Sequence, residues 1–298
     1  MSDVLAIETV DLRKRYGDVE ALRGINLGVP AGSIFGFLGR NGAGKTTTIK
    51  VLLGMARATS GAARVLGIPA SPDAVDIRRR TAFVSEEKDL YDSMTVEEIV
   101  RFTASFYPRW RSELEQRYRR AFDLSPNAQV KTLSRGTRSR LALLLALCRG
   151  AELLILDEPT SGLDPAAAED VLQALVAHAA ADAVTVFFSS HQIAEVEQIA
   201  DHIAIVDRGR TVVAGALDDL RAQYRRVQFV FDGDAPAVSF RAPGVARLQR
   251  QGRVLTLLCS GGVDALVAEA HALQPVAIDV TPVTLKDIFL DTVHAEEA

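Results

Sequence analysis

Gly39-Arg40-Asn41-Gly42-Ala43-Gly44-Lys45-Thr46 is the stretch on which the reading of this chain turns. It matches G-x-x-x-x-G-K-[ST] at every fixed position, after an apolar strand-like run at 33–38 and before a helix-like run to about residue 54. Three glycines let the backbone turn tightly, so that successive N–H groups point into one concavity. The dipole of the following helix adds attraction for phosphate oxygens. Lys45 would place a positive charge at the terminal phosphates, Thr46 a hydroxyl on Mg²⁺ bridging the β- and γ-phosphates, and Thr47 another donor in the first turn. All eight residues, with Thr47, are therefore candidate nucleotide contacts, with ATP and Mg²⁺ the expected ligands.

A second stretch completes the chemistry. Leu153-Leu154-Ile155-Leu156-Asp157-Glu158 is a run of four aliphatics ending in two carboxylates. Such a run predicts a buried strand that delivers its acids to the carboxyl edge of a sheet, where ligands bind. Asp157 is expected to hold Mg²⁺, directly or through water. Glu158 is expected to orient or deprotonate the water that attacks the γ-phosphate. Adjacent strand residues face opposite ways, so the two acids should not share one role. His191 follows an apolar run at 184–188 and two serines, a position from which a ring nitrogen could reach the γ-phosphate or hydrogen-bond Glu158.

The surrounding pattern is α/β. Strand-like stretches at 5–10, 25–29 and 33–38 are separated by turn signals at Gly17-Asp18 and Pro30-Ala31-Gly32. Residues 95–122, rich in Glu, Arg and aromatics at helical spacing, predict a helical insert. Beyond residue 153, buried-strand runs at 184–189 and 203–206 alternate with helical runs at 166–180 and 192–200, which predicts a parallel sheet. A charged helical stretch at 217–226 is followed by strand-like runs at 227–231 and 254–259, a turn at Gln251-Gly252, a helix-like 263–273, a strand-like 276–280 and an amphipathic 285–293. The expected division is residues 1–220, with the helical insert at about 90–140, and a small α+β domain at 226–298.

These motifs, in this order, resemble the nucleotide-binding subunit of an ABC (ATP-binding cassette) transporter over roughly residues 3–215. In that resemblance Leu133-Ser134-Arg135-Gly136-Thr137 occupies the signature loop, Ser161-Gly162-Leu163-Asp164 the D-loop, and His191 the place of the switch histidine. The implied fold is a P-loop ATPase domain with a parallel α/β core, an antiparallel β subdomain and a helical subdomain. Two subunits would face each other head to tail, each ATP lying between one chain's phosphate loop and the other's Ser134, Gly136 and Asp164. Ser134 also reads as a helix N-cap from its place before the apolar run at 141–147. Tyr16 matches the aromatic residue that stacks on adenine; the rival reading is a hairpin aromatic packed in the core.

Three positions depart from the usual pattern. Glu86 occupies the place of a glutamine that touches Mg²⁺ and the attacking water; it could still bind the metal, but it brings an extra negative charge to a triphosphate site. Arg135 and Thr137 stand where Gly and Gln are common, and Arg135 would either add a cation for the γ-phosphate or crowd the loop.

Composition narrows the partners. With 48% hydrophobic and 24% charged residues the chain can build a core of ordinary size. A net charge of −4 provides no general field for nucleic acid, so none is expected as a partner. Cys148 and Cys259 lack metal-ligand spacing and read as reduced core residues. No apolar run reaches the about 20 residues that a spanning helix needs. The first ten residues carry acids in place of a basic leader. The expected setting is thus the cytoplasmic face of a membrane, reached through a polytopic permease. The resemblance implies an ATPase that powers transport, of the export type by its C-terminal tail around Leu285-Lys286-Asp287-Ile288-Phe289-Leu290. It places the permease near Tyr91-Asp92-Ser93-Met94 and the aromatics Phe102, Phe106, Tyr107 and Trp110; the rival reading is an aromatic-rich helix packed in the core. The alternatives are a soluble switch of the same cassette type acting on ribosomes or nucleic acid, and a non-hydrolysing regulatory module.

Overall fold

A computed structural model describes residues 4–294. Two compact units divide the chain, one ending at Ala214 and the other beginning at Gly215.

The first unit is organised by a ten-stranded sheet. Its strands are β1 (Leu5–Tyr16), β2 (Val19–Pro30), β3 (Ile34–Gly39), β4 (Ser60–Val65), β5 (Ile68–Pro69), β6 (Thr81–Val84), β7 (Leu153–Leu156), β8 (Thr185–Ser190), β9 (His202–Asp207) and β10 (Arg210–Ala216). Their spatial order is β5-β4-β1-β2-β10-β9-β3-β8-β7-β6. One half is antiparallel: β1 pairs with β2 and β4, and both strands alternate buried and exposed positions because only one face meets the core. The other half is parallel, with β3 between β9 and β8, β7 beside β8 and β6 beside β7. There β3, β7 and β8 are buried at every residue, as their unbroken apolar runs require.

Helices α1 (Lys45–Leu52), α2 (Val75–Arg80), α3 (Val96–Ala104), α4 (Ser112–Ala121), α5 (Arg135–Leu147), α6 (Pro165–Asp182) and α7 (Ile193–Ile199) supply the connections. The helical insert is α3 and α4 with the turn between them. A capping box starts α3, where Thr95 accepts the N–H of Glu98 and the Glu98 carboxylate accepts the N–H of Thr95. At the sheet centre Gly36 is required by closeness: a Cβ there would lie 2.5 Å from Val196 Cγ1, so only glycine lets α7 settle on β3.

The second unit, residues 215–298, contains α8 (Leu217–Gln223), β11 (Arg225–Val230), β12 (Val245–Gln251), β13 (Val254–Cys259), α9 (Val263–His271), β14 (Ala277–Pro282) and α10 (Leu285–His294). Its four strands form a separate sheet of order β12-β13-β11-β14, antiparallel at each neighbour pair. Strand β12 carries no alternating apolar signal in its sequence. It is held instead by the tight turn at Gly252, whose φ of +55° lets the chain double back into β13.

The parallel half is locked by Phe187 of β8. Its ring, fully buried, stacks on Phe35 at 5.7 Å between centroids and tilts against Phe37 at 5.2 Å. Because Phe187 ties β8 to the adjacent β3, truncating it should loosen the strand ends that carry the polar residues described next. Phe187→Ala is expected to lower the unfolding free energy by about 3–5 kcal/mol. The denaturant midpoint measures this, and a loss under about 1 kcal/mol would show that the site does not depend on this packing.

Candidate functional site

Four neighbouring parallel strands, β3, β8, β7 and β6, end at the same edge, and each releases polar residues there. From β3 comes the loop Gly39–Thr46 and from β8 His191. From β7 come Asp157 and Glu158, and from β6 the segment Ser85-Glu86-Glu87-Lys88. Residues far apart in sequence converge because strand order, not chain order, sets their distances.

The glycine loop takes the shape its spacing predicts. Gly42 and Gly44 have φ of +81° and +107°, and Gly44 has no room for a Cβ, which would come within 2.8 Å of Leu22 Cδ2. Gly39 is equally confined, 2.6 Å from the Val206 carbonyl oxygen by the same measure. The Ala43 N–H donates to the Arg40 carbonyl at 3.1 Å and closes the turn. No side chain caps α1, so its first N–H groups are left facing the cavity that Asn41, Gly42, Gly44, Lys45, Thr46 and Thr47 line. Glu86 and Glu158 line the same cavity.

Lys45 is buried. Its ammonium donates to the Gly39 carbonyl at 2.7 Å and lies 3.1 Å from Glu158 Oε1. The other oxygen of Glu158, Oε2, sits 2.7 Å from His191 Nδ1. Lys45, Glu158 and His191 thus form one continuous chain of contacts, with Glu158 only 5% exposed at its centre. Glu158 lies just beyond the end of β7 in the left-handed region, φ +47°, and so turns away from strand geometry.

Asp157 is held differently. The hydroxyl of Ser189, itself fully buried, donates to Asp157 Oδ1 at 2.6 Å and accepts the Glu158 N–H at 2.9 Å. Ser189 therefore joins the two acids to the strand that carries His191. The sequence marks it only as a polar residue ending a buried apolar run. Lys88 is the other residue that sequence reasoning missed. Its side chain is buried, and its ammonium donates to the Glu158 carbonyl oxygen at 2.9 Å. Burial pulls its pKa down, opposed by the charges of Glu86, Asp157 and Glu158.

The remaining candidates lie apart from this cavity. Ser134 caps α5, accepting the Thr137 N–H at 3.1 Å with the Thr137 hydroxyl 2.9 Å away. Gly136 lies in the first turn of that helix. Asp164 caps α6, and the Ala167 N–H it accepts at 3.0 Å holds its carboxyl below the usual aspartate range. Arg135 leans toward the D-loop: a Cβ on Gly162 would stand 3.7 Å from its guanidinium. None of these four lines the phosphate-loop cavity of its own chain. Tyr16 ends β1 and is half exposed, with the Lys14 ammonium 4.5 Å from its ring centre, so it is not the core aromatic of the rival reading.

Similarity to known proteins agrees with this geometry. A family described as ABC transporter matches residues 22–161. The chain is 32% identical over 279 residues to the bacitracin transport ATP-binding protein BcrA of Bacillus licheniformis, covering 87% of this chain and 91% of that protein. It is 30% identical over 298 residues to the Nod factor export ATP-binding protein I of Cupriavidus metallidurans, covering 97% of each. A solved structure described as the ATP-binding subunit of an ABC transporter superposes with a TM-score of 0.67 at 31% identity, over 74% of this chain and 93% of that one.

Removing the Ser189 hydroxyl leaves a buried carboxylate short of a donor and a buried N–H without an acceptor. Ser189→Ala is therefore expected to destabilise the fold by about 1–3 kcal/mol, well above the cost of a surface substitution. Chemical denaturation of the variant beside wild type measures this, and equal midpoints would show that water or another group replaces the hydroxyl.

Proposed function

This chain belongs to the family of ABC transporter ATP-binding proteins, and we propose that it hydrolyses ATP at the Lys45–Glu158–His191 site to power a membrane permease of the export type. The observation that carries this reading is a buried carboxylate gripped between the cation of a glycine phosphate loop and a histidine. The same three groups serve phosphate binding, water activation and the sensing of the terminal phosphate.

The chain of events follows from the contacts. The N–H groups of the loop and of the first turn of α1 receive the phosphates, and Lys45 exchanges its carbonyl partners for phosphate oxygens. Glu158, held by His191 through Oε2, has Oε1 against Lys45, and once that ammonium turns to phosphate Oε1 is free to orient a water and accept its proton. His191 stabilises the carboxylate in that orientation, and its half-exposed ring registers the terminal phosphate. Tyr16, exposed at the hairpin end, is the candidate platform for adenine.

The donor set also fits Mg²⁺. Among the described residues no group of three or more His, Cys, Asp or Glu could cage a metal. A Thr46 hydroxyl and the Glu86 carboxylate on one cavity suit a cation that completes its shell with phosphate oxygens and water, and Asp157, buried on Ser189 and outside that lining, would act on it through water. When bound, the metal would neutralise charge on the β- and γ-phosphates.

Ser134, Gly136 and Asp164 are proposed to act on the nucleotide of a second subunit, either a copy of this chain or a related one. Support comes from the position of Ser134 and Asp164 on helix caps, and of Gly136 in a first turn, outside the chain's own cavity. The permease reading is supported by an exposed aromatic ladder. Tyr91, Phe102 and Phe106 stand edge to face with ring centres 5.6 and 5.0 Å apart, and Phe106 is 63% exposed. Among the described residues no helix is long and apolar enough to cross a membrane. Work on a membrane substrate would then pass through a partner on the cytoplasmic face. Export is favoured because the Nod factor export relative matches over 97% of each chain.

Phosphate release from Mg-ATP by the purified chain, alone and with its permease, tests the site. Glu158→Gln is expected to slow hydrolysis by about 100-fold or more while retaining ATP binding, and Lys45→Ala to abolish binding. Equal rates for wild type and Glu158→Gln would refute the role given to Glu158. In a separate experiment the double variant Phe102→Ser/Phe106→Ser should keep the hydrolysis rate of the isolated chain but fail to co-purify with the permease from detergent extracts. Retention of the complex would move the docking surface elsewhere.

A further inference from the structure

Lys88 is an unusual residue to find beneath an active site. Its neighbours Glu86, Glu87 and Asp89 are exposed, yet Lys88 is 6% exposed and turns inward. The turn is tight: the Lys88 N–H donates to the Ser85 carbonyl at 3.3 Å, and Lys88 itself adopts φ +50°. A buried ammonium is unfavourable unless it is paired and hydrogen-bonded, so the backbone strain and the desolvation must be offset by what the ammonium touches. It touches the carbonyl oxygen of Glu158 at 2.9 Å, and Glu158 is the other left-handed residue of the site, at φ +47°. Each end of this contact thus lies in a conformation that residues other than glycine seldom adopt.

Charges of both signs surround it: Arg135 and Arg138 share a cavity lining with Lys88, Glu86 and Glu87. Glu86, Asp157 and Glu158 bring three carboxylates to this edge of the sheet, and all three act electrostatically on Lys88. Lys45 is the cation on the loop side, already engaged with Glu158. A triphosphate entering the cavity would meet Glu86 and Glu158 among its lining residues. A buried ammonium that is not itself part of that lining lowers the repulsion without occupying space in the cavity.

We propose that Lys88 is a positioning residue for hydrolysis: its ammonium fixes the main chain of Glu158 in the turn that presents the carboxylate to Lys45 and His191, and its charge offsets that of Glu86. The proposal rests on the reading of Glu158 as the group that activates water. Lys88 does not touch the substrate; it acts through the carbonyl and through the field.

A double-mutant cycle between Lys88 and Glu86 in the full chain tests it. Lys88→Met is expected to lower kcat about tenfold or more and to weaken ATP binding, measured by equilibrium dialysis in EDTA, several-fold. Lys88→Arg, which keeps the charge and a donor, should retain most of both. In the E86Q background the same Lys88→Met change should cost at least about threefold less in kcat and in ATP affinity, because one of the acids it offsets is gone. A merely structural lysine would lose the same factor in both backgrounds, and that result overturns the proposal, as does a Lys88→Met protein with wild-type kcat. If Lys88→Met does not fold, Lys88→Gln is carried through the same two backgrounds, with the same criteria. Glu158→Gln serves as the control. A slow Glu158→Gln beside a fast Lys88→Met removes only the role of Lys88, whereas a fast Glu158→Gln removes the hydrolytic reading beneath it.

Discussion

A carboxylate that is 5% exposed cannot remain charged without partners, and the first unit of this protein is arranged to provide them for Glu158. Lys45 reaches one oxygen and His191 the other, while Ser189 receives the N–H and Lys88 the carbonyl. Those four partners come from three segments, after β3, at the end of β8 and after β6, and Glu158 from a fourth after β7, so the contact set exists only when β3, β8, β7 and β6 lie side by side in parallel. Sheet order, helix seating and the aromatic lock at Phe187 all act to keep that edge aligned. Removing any one partner leaves a charge or a dipole stranded at low dielectric, which makes the group cooperative rather than additive.

Much of this was legible in the residues, for reasons that are local. The phosphate loop is read from eight consecutive positions because backbone conformation and charge are both specified within them. The aliphatic run before Asp157 announces a buried strand and its polar end. The parallel sheet follows from the alternation of apolar runs and helical stretches. What escaped notice is non-local. Ser189 and Lys88 earn their contacts through register, 31 and 70 residues away from Glu158. Glu158 departs from strand alternation because its φ is positive, which no pattern of side chains announces. Strand β12 was missed because its pairing is imposed by the Gly252 turn and by β13, not by its own composition.

The two halves of the sheet also differ in their surroundings. The antiparallel half, β1, β2, β4 and β5, carries Tyr16 half exposed at a hairpin end. The parallel half is dry and holds the charged groups, which strengthens each electrostatic contact relative to water. A solvated aromatic and a buried set of charges therefore occupy different dielectric surroundings of one continuous sheet.

Gly36 shows how far a missing atom reaches. Helix α7 rests on β3 at the position where any side chain would drive into Val196, and His191 stands two residues before that helix begins. The depth at which α7 sits therefore sets the height of the imidazole over Glu158. A single methyl group at this buried point would lift the helix and carry the ring with it, so the contact between His191 and Glu158 is calibrated from underneath, by emptiness in the middle of the sheet.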